Sequence, residues 1–434
     1  MIVLLLLLTQ DLPRDDGYRG IWYMNQPSKD EHKYKYSGGF ATYPQQHVPI
    51  AIYAKAVDRT FFVYGGSPRD RNTLLHMVSY FDHATSTVPR PAILLDKKTD
   101  DAHDNPVLSI DDAGHLWIFS NAHGTSRPSW IHRSVKPYDI GAFERVLETN
   151  FSYGQPWWIP EKGFFFLHTR YKEGRGLWWM TSPDGRTWSA PASLSHEELG
   201  HYQISGAEDG RIGTVFDVHP KPGGLNARTN LYYKETRDFG TSWTSHGDVL
   251  VHDYKKEGLL VYLKDLRFDE GKPVVLYLTS KGYEAGPKNG PRQWRTTRWT
   301  GTAWETREFT TSDHNYDHGS LYVEGGRWRV IATTEPGARP HATGGDVALW
   351  ESPDRGATWS KVRVLTKGAL NHAYPRRPLN AHPGFYALWA DGDPLAPSAS
   401  SLYFCDRDGK VFRFPDRIEG ETARPVNDPA SLER

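Results

Sequence analysis

Along the chain, apolar and aromatic residues alternate with polar ones, or run in short blocks closed by Gly or Asp. The runs include VPIAIYAKAVDRTFFVYGG, SIDDAGHLWIFS, EKGFFFLHTRY with GLWWMTS, and GRIGTVFDV with TNLYYKET. KPVVLYLTS, GRWRVIATT with DVALWES, and GFYALWA with SLYFCDRDGKVFRF follow. A period of two bounded by turn residues predicts strands, and no long stretch keeps the 3.6-residue period of an amphipathic helix. Grouped in fours, the strands make seven units between about residue 38 and residue 418. A repeated four-stranded unit predicts an all-β, seven-bladed β-propeller, with six blades as the alternative.

An internal repeat supports this. SPDGRTW (Ser182–Trp188), TRDFGTSW (Thr236–Trp243) and SPDRGATW (Ser352–Trp359) share Ser/Thr-x-Asp-(x)-Gly-x-x-Trp. Asp184 and Asp238 lie 54 residues apart, and Asp238 and Asp354 lie 116 apart, so one copy is skipped; WTGTAWE around Trp304 is its degenerate form. Asp suits turn amides, Gly takes positive φ, and Trp buries its ring beside the next sheet. These residues are therefore turn braces rather than catalysts. The pattern resembles the Asp-box, or BNR repeat, of sialidase-like propellers.

Composition fits a turn-rich β protein, with 16 Trp, 23 Tyr, 40 Gly and 30 Pro in 434 residues. Basic and acidic residues balance at 52 each, without a basic stripe, which argues against nucleic acid. The single Cys405 excludes an intramolecular disulfide and a Cys-based zinc site. Residues 1–16 read as an apolar leader and 17–434 as one propeller domain. Ile2–Leu8 is too short to span a bilayer and lacks a basic n-region. It is either a first strand or an atypical export signal, the latter fitting a periplasmic or secreted protein.

Chemistry should lie in residues that the repeat does not need. Of the 19 His, many fall in loops at about one cluster per blade: His47, His103, His123, His168, His219 with Arg228, His314 and His318, and His372 with Arg376. No HExxH or His-x-His spacing appears, so a zinc enzyme is not indicated. A turn at Asp112-Ala113-Gly114 would bring His103 and His123, at the two ends of one hairpin, to the same rim. SYGQP and FLHTRY flank the next hairpin in the same way, offering Tyr153, Gln155, His168 and Arg170. Such a set lacks the carboxylate pair of ordinary glycoside hydrolysis. It suits β-elimination from a uronic acid, in which Arg holds the carboxylate and His or Tyr moves protons. A sialidase would need an arginine triad and a Tyr/Glu pair, which do not assemble here.

GYRGIWYMNQPS, YKYSGGFATYPQQHVPIAIY, HDNP…NAHG, SYGQP, GGLNARTNLYY and DHNYDHGS together resemble the BNR-4 repeat family, from about Gly17 to Pro415. The nearest members act on L-rhamnose-α-1,4-D-glucuronate caps of arabinogalactan; ulvan lyases are more distant. The resemblance implies a lyase that releases rhamnose and leaves an unsaturated uronate. His103, His123, Tyr153 and Arg170 would be its catalytic set. Gln155, His168, His219, Arg228, His314, His318, His372 and Arg376 would contact substrate. It also implies a rival α-L-rhamnosidase run from His47 on the opposite face of the propeller. A non-catalytic glycan-binding propeller is the third expectation. The expected partner is an acidic, rhamnose-capped glucuronate saccharide, without nucleic acid or a membrane span. No cofactor is required, and a structural Ca²⁺ at the axis is left open.

Overall fold

A computed structural model describes residues 11–172 and 174–428. The apolar run Ile2–Leu8 lies outside them. Seven consecutive antiparallel sheets form the blades of a β-propeller. Their first strands are Ala51–Ala54, Pro106–Ile110, Ser152–Ile159, Gln203–Glu208, Leu260–Asp269, Gly319–Glu324 and Asn371–Arg376. We number the blades 1 to 7 in that order. Each blade runs outward through its strands in chain order, and blade 7 carries a fifth strand, Val426–Asn427.

Consecutive blades are bolted together by the repeated turns. Asp184 accepts from the amides of Arg186 (2.8 Å) and Thr187 (2.7 Å), and Gly185 donates to Ser182 Oγ at 2.7 Å. Asp238 and Asp354 each take the amide four residues on, both at 2.8 Å. The motif tryptophans pack against the blade before their own, not the next one. Trp188 meets Phe119, Trp243 meets Phe165 and Trp359 meets Phe309. Trp304 of the degenerate copy does the same against Tyr233. The period of the motif is thus the period of the inter-blade contact.

First and last blades meet through an aromatic cluster. Phe62 and Phe81 of blade 1 pack on Phe385 and Phe404 of blade 7, joined by Tyr18 and Phe414. Tyr18 lies 2.6 Å from Ser79 Oγ and donates to the Pro89 carbonyl at 2.7 Å. Residues on both sides of the repeat therefore close the ring.

One element does not belong to the repeat. The hairpin Trp22–Pro27 and Tyr34–Gly39 lies across one end of the axis. Trp22 donates to the Asp393 carbonyl of blade 7, and the Ser37 amide to Thr343 Oγ1 of blade 6. Tyr36 stacks on Tyr316, between blades 5 and 6, at 4.0 Å. The hairpin thereby carries tyrosines over the ends of the inner strands.

Gly185 has φ +72°, and a Cβ there would fall 2.2 Å from the Trp117 ring of blade 2. Gly185→Ala should cost ~2–4 kcal/mol, from left-handed strain plus displacement of Trp117. Gly210→Ala, at φ +75° with open space around it, should cost about 1–2 kcal/mol of strain alone. Denaturation midpoints of the two variants compare them; equal losses would show that the turn is not packed on Trp117.

Candidate active site

The DDAHDNP segment turns through a short 3-10 helix, Ala102–Asp104, directly before the first strand of blade 2. The hairpin Pro106–Ile110 and Leu116–Ser120 then returns the chain, with Gly114 at φ +84°. His103 and His123 therefore meet at one rim, as their spacing predicts. Their rings stack with centroids 4.0 Å apart and planes 23° apart.

Between them stands Asp101, which the sequence pattern does not single out. Its Oδ1 is 2.6 Å from His103 Nδ1, and its Oδ2 is 2.7 Å from His123 Nδ1. Although burial opposes its charge, hydrogen bonds and the field of both imidazoles hold Asp101 well below the usual carboxylate range. An ionised carboxylate only accepts, so each Nδ1 donates to it. Arg127 fixes the loop, with Nη2 3.4 Å from Asp101 Oδ2 and Nε 2.8 Å from Asp104 Oδ2. Asp104 also takes the His123 amide at 2.7 Å.

The two histidines differ in surroundings. His103 is buried, and its Nε2 faces Tyr43 Oη at 2.7 Å and Tyr36 Oη at 3.2 Å. Burial pushes its imidazole down to about 4, so it is neutral near pH 7. His123 keeps about a quarter of its side chain exposed. Its ring lies 6.0 Å from Tyr171 and 6.5 Å from Tyr153.

Tyr153 takes its expected place, but Arg170 does not. In the hairpin of Gly163–Tyr171 with Arg175–Ser182, Tyr171 pairs with Arg175 and Arg170 with Gly176. Residues opposite each other share a face, and sequence neighbours do not. Arg170 thus turns to the Trp178 side, its guanidinium 5.9 Å from that ring. Arg175 Nε reaches Tyr171 Oη at 3.3 Å, and Tyr171 Oη lies 3.5 Å from Tyr153 Oη. Arg127 bonds the carboxylate between the histidines, and Arg175 is the arginine on the Tyr171 side of His123. Arg228 stands nearby and shares the Tyr202 ring with it, at 4.8 Å against 5.7 Å for Arg175. Arg228 Nη2 donates to Tyr316 Oη at 2.9 Å.

Several residues expected to contact substrate make their bonds within or between blades. Gln155 bonds Gln203 and Ser205 of blade 4, bracing blade 3 against it. His168 stacks on Phe166, two residues away on the same face of the strand. His372 accepts from Trp389 Nε1 at 3.0 Å, inside blade 7. Arg376 donates to the carbonyls of Gln45 and His47 and lies 3.1 Å from His318 Nε2, tying blade 7 to the loop after the hairpin. His219 supports Tyr202 from behind, and His314 holds the Lys35 carbonyl at 3.0 Å. His47 is not on an opposite face. It is fully buried, its ring 5.6 Å from that of Tyr153.

Ligand atoms of Asp101, His103 and His123 lie within 4.8 Å of one another, close enough to ring a metal ion. Two imidazoles and one carboxylate do not suit Ca²⁺, which takes six or more oxygens. Arg127 beside the carboxylate opposes any dication there. The Nδ1–H donors account for the geometry without one.

The sequence profile of BNR repeat-containing proteins matches residues 90–312, more than half of the chain. The chain belongs to the BNR repeat-containing family. This BNR-repeat chain is 25% identical over 369 residues to an ulvan lyase of Alteromonas sp. (strain LOR), covering 72% of this chain and 73% of the relative. An ulvan lyase of Nonlabens ulvanivorans is 24% identical over 405 residues, covering 79% and 82%. In fold it is similar to a solved PL25 ulvan lyase, with TM-score 0.70 at 17% identity over 92% of this chain and 96% of that one. That lyase bound to -[GlcA(1-4)Rha3S]- gives the same TM-score at 16% identity. No helix among the described residues is long and apolar enough to cross a membrane.

The histidines turned inward make stability depend on pH. Burial holds His168 and His372 down at about 3, as it holds His103 at about 4. Their unfolded forms gain protons near pH 6.5 and the folded forms do not, so their stabilisation is present above about 6.5 and lost below it. From about pH 6.5 to pH 5 each should remove roughly 2 kcal/mol. Urea midpoints should fall steeply across that window; a flat profile would show that these imidazoles are not sealed.

Proposed function

We propose that this protein is a polysaccharide lyase that cleaves beside a uronate by β-elimination. Its finer action would be on terminal L-rhamnose-α-1,4-D-glucuronate, releasing rhamnose. The observation that carries the reading is a partly exposed His123 whose Nδ1 proton is held by Asp101, facing Tyr153, Tyr171 and Arg175. That set supplies each part of an elimination, and among the described residues it holds no free carboxylate pair for hydrolysis.

The steps follow from the donors and acceptors. Arg175, with Arg228 behind it, receives the uronate carboxylate and stabilises the charge that develops there as C5 loses its proton. His123 Nε2 takes the C5 proton; Asp101 then balances the imidazolium. The electron pair forms C4=C5, the C4–O4 bond breaks, and Tyr153 or Tyr171 protonates O4. The role first expected of Arg170 passes to Arg175. His103, buried under Tyr43 and Tyr36, positions Asp101 and does not meet substrate. The similarity to two ulvan lyases, and to a solved lyase bound to a GlcA(1-4)Rha3S unit, supports a lyase of acidic polysaccharide. Such a substrate fits a protein of the periplasm or the cell exterior. Every step uses side chains, so no cofactor is assigned.

A hydrolase centred on His47 is not favoured, because that imidazole is fully buried against Tyr153, whereas about a quarter of the His123 side chain is exposed. His123→Ala and Arg175→Met should each lower turnover of a rhamnose–glucuronate oligosaccharide by roughly 10²–10⁴-fold, with circular dichroism unchanged. Arg170→Met should stay within about threefold of the parent, since it removes no transition-state contact. A dead Arg170→Met beside an active Arg175→Met would overturn the assignment.

A further inference from the structure

Three basic side chains, Arg175, Arg228 and Lys35, act on one another at this site, and among the described residues no carboxylate lies within 4.0 Å of them. Arg228 is 2% exposed; its Nε and Nη2 donate to the Leu225 carbonyl and Tyr316 Oη, and the rings of Tyr262 and Tyr202 cover it. Arg175 lies over Tyr171 and Tyr202. The third is Lys35, brought by the N-terminal hairpin from outside the repeat. It is 4% exposed, donates to Asn226 Oδ1, and stands 5.3 Å from the centre of the Tyr283 ring.

Among the described residues, no group packed on Lys35 offsets its charge. Asn226 and Tyr283 are neutral partners, and Arg175 and Arg228 repel it. His314 binds the Lys35 carbonyl and is itself kept neutral by burial. Asp217 acts on Arg228 from a distance, but its Oδ1 is held by the Tyr202 amide at 2.7 Å and lies 3.4 Å from His219. Burial, with the two guanidinium groups, pushes the Lys35 ammonium down to about 6. A guanidinium keeps its proton in such a place, whereas a lysine gives its proton up.

We propose that Lys35 is the third member of an anion pocket with Arg175 and Arg228, and that it takes up a proton when an anionic sugar enters. This rests on the reading that Arg175 and Arg228 receive the uronate carboxylate. The entering carboxylate supplies the missing negative charge, so the bound state holds a proton that the empty state has lost. Affinity for the anion is then full in mild acid and falls as pH rises. Lys35 is a specificity-determining residue in this account, selecting charged over neutral sugars.

Titration calorimetry of the full chain with D-glucuronate, in two buffers of different ionisation enthalpy, tests this without any variant. The parent should take up about one proton per glucuronate near pH 7.5, and its Kd should weaken roughly tenfold or more between about pH 6 and pH 8. Lys35→Met should bind weakly at both pH values, without proton uptake. Lys35→Arg should bind well at both, also without uptake. Binding by the parent with no uptake and a constant Kd would overturn the role of Lys35 and leave the carboxylate pocket standing. Uptake that persists in Lys35→Met would assign the proton to another group, such as His123, and overturn it equally. No binding of glucuronate at either pH, with neutral rhamnose bound instead, would remove the carboxylate pocket itself and the proposal with it.

Discussion

The site depends on one carboxylate shared by two imidazoles. Asp101 accepts from Nδ1 of both His103 and His123, and this single choice sets tautomer, charge and orientation together. It turns the other ring edge of His123, about a quarter of whose side chain is exposed, away from the carboxylate. A buried carboxylate is costly unless its acceptor sites are filled. Here the histidines and Arg127 fill them. The cluster is therefore pre-arranged by the chain rather than assembled by the substrate, which is the condition under which electrostatic stabilisation is effective.

The propeller explains why these groups meet. Inner strands end around one axis, so the loops of blades 2, 3 and 4 deliver His103 and His123, Tyr153 with Arg175, and Arg228 to one place. The N-terminal hairpin then adds a layer that no blade can supply. Tyr23 and Tyr36 come from its two strands, and Tyr43 from the loop that follows; all three reach His103. Through Lys35 the hairpin also reaches Asn226 on the blade 4 side. The repeat builds the frame, and the segment outside the repeat adds charge and hydroxyl groups to the pocket.

The repeat was legible because its contacts are local. Ser182, Asp184, Gly185 and Trp188 sit within seven positions, and the turn and the inter-blade packing both follow from them. The histidine pair was legible for the same reason: a single hairpin joins its two members. Arg175 was missed because a strand has period two, and a one-residue error in register exchanges the faces. Arg170 faces Trp178, and Arg175 faces Tyr171. Placing Tyr171 and Arg175 opposite each other on two paired strands was the available signal. Lys35 had none, since Asn226 lies 191 positions away, and Tyr36 meets His103 across 67 positions. The polar shell of the axis was also hidden: His168, His318 and His372 stand out in a list of histidines, and only the fold shows that their rings meet Phe166, Arg376 and Trp389.

The central claim is that this pocket eliminates rather than hydrolyses. The most direct measurement is the product of a rhamnose-α-1,4-glucuronate oligosaccharide, with ultraviolet absorbance of the conjugated C4–C5 uronate recorded beside released rhamnose. The account predicts that the two rise together in equal amounts. Rhamnose appearing without the unsaturated uronate would contradict it.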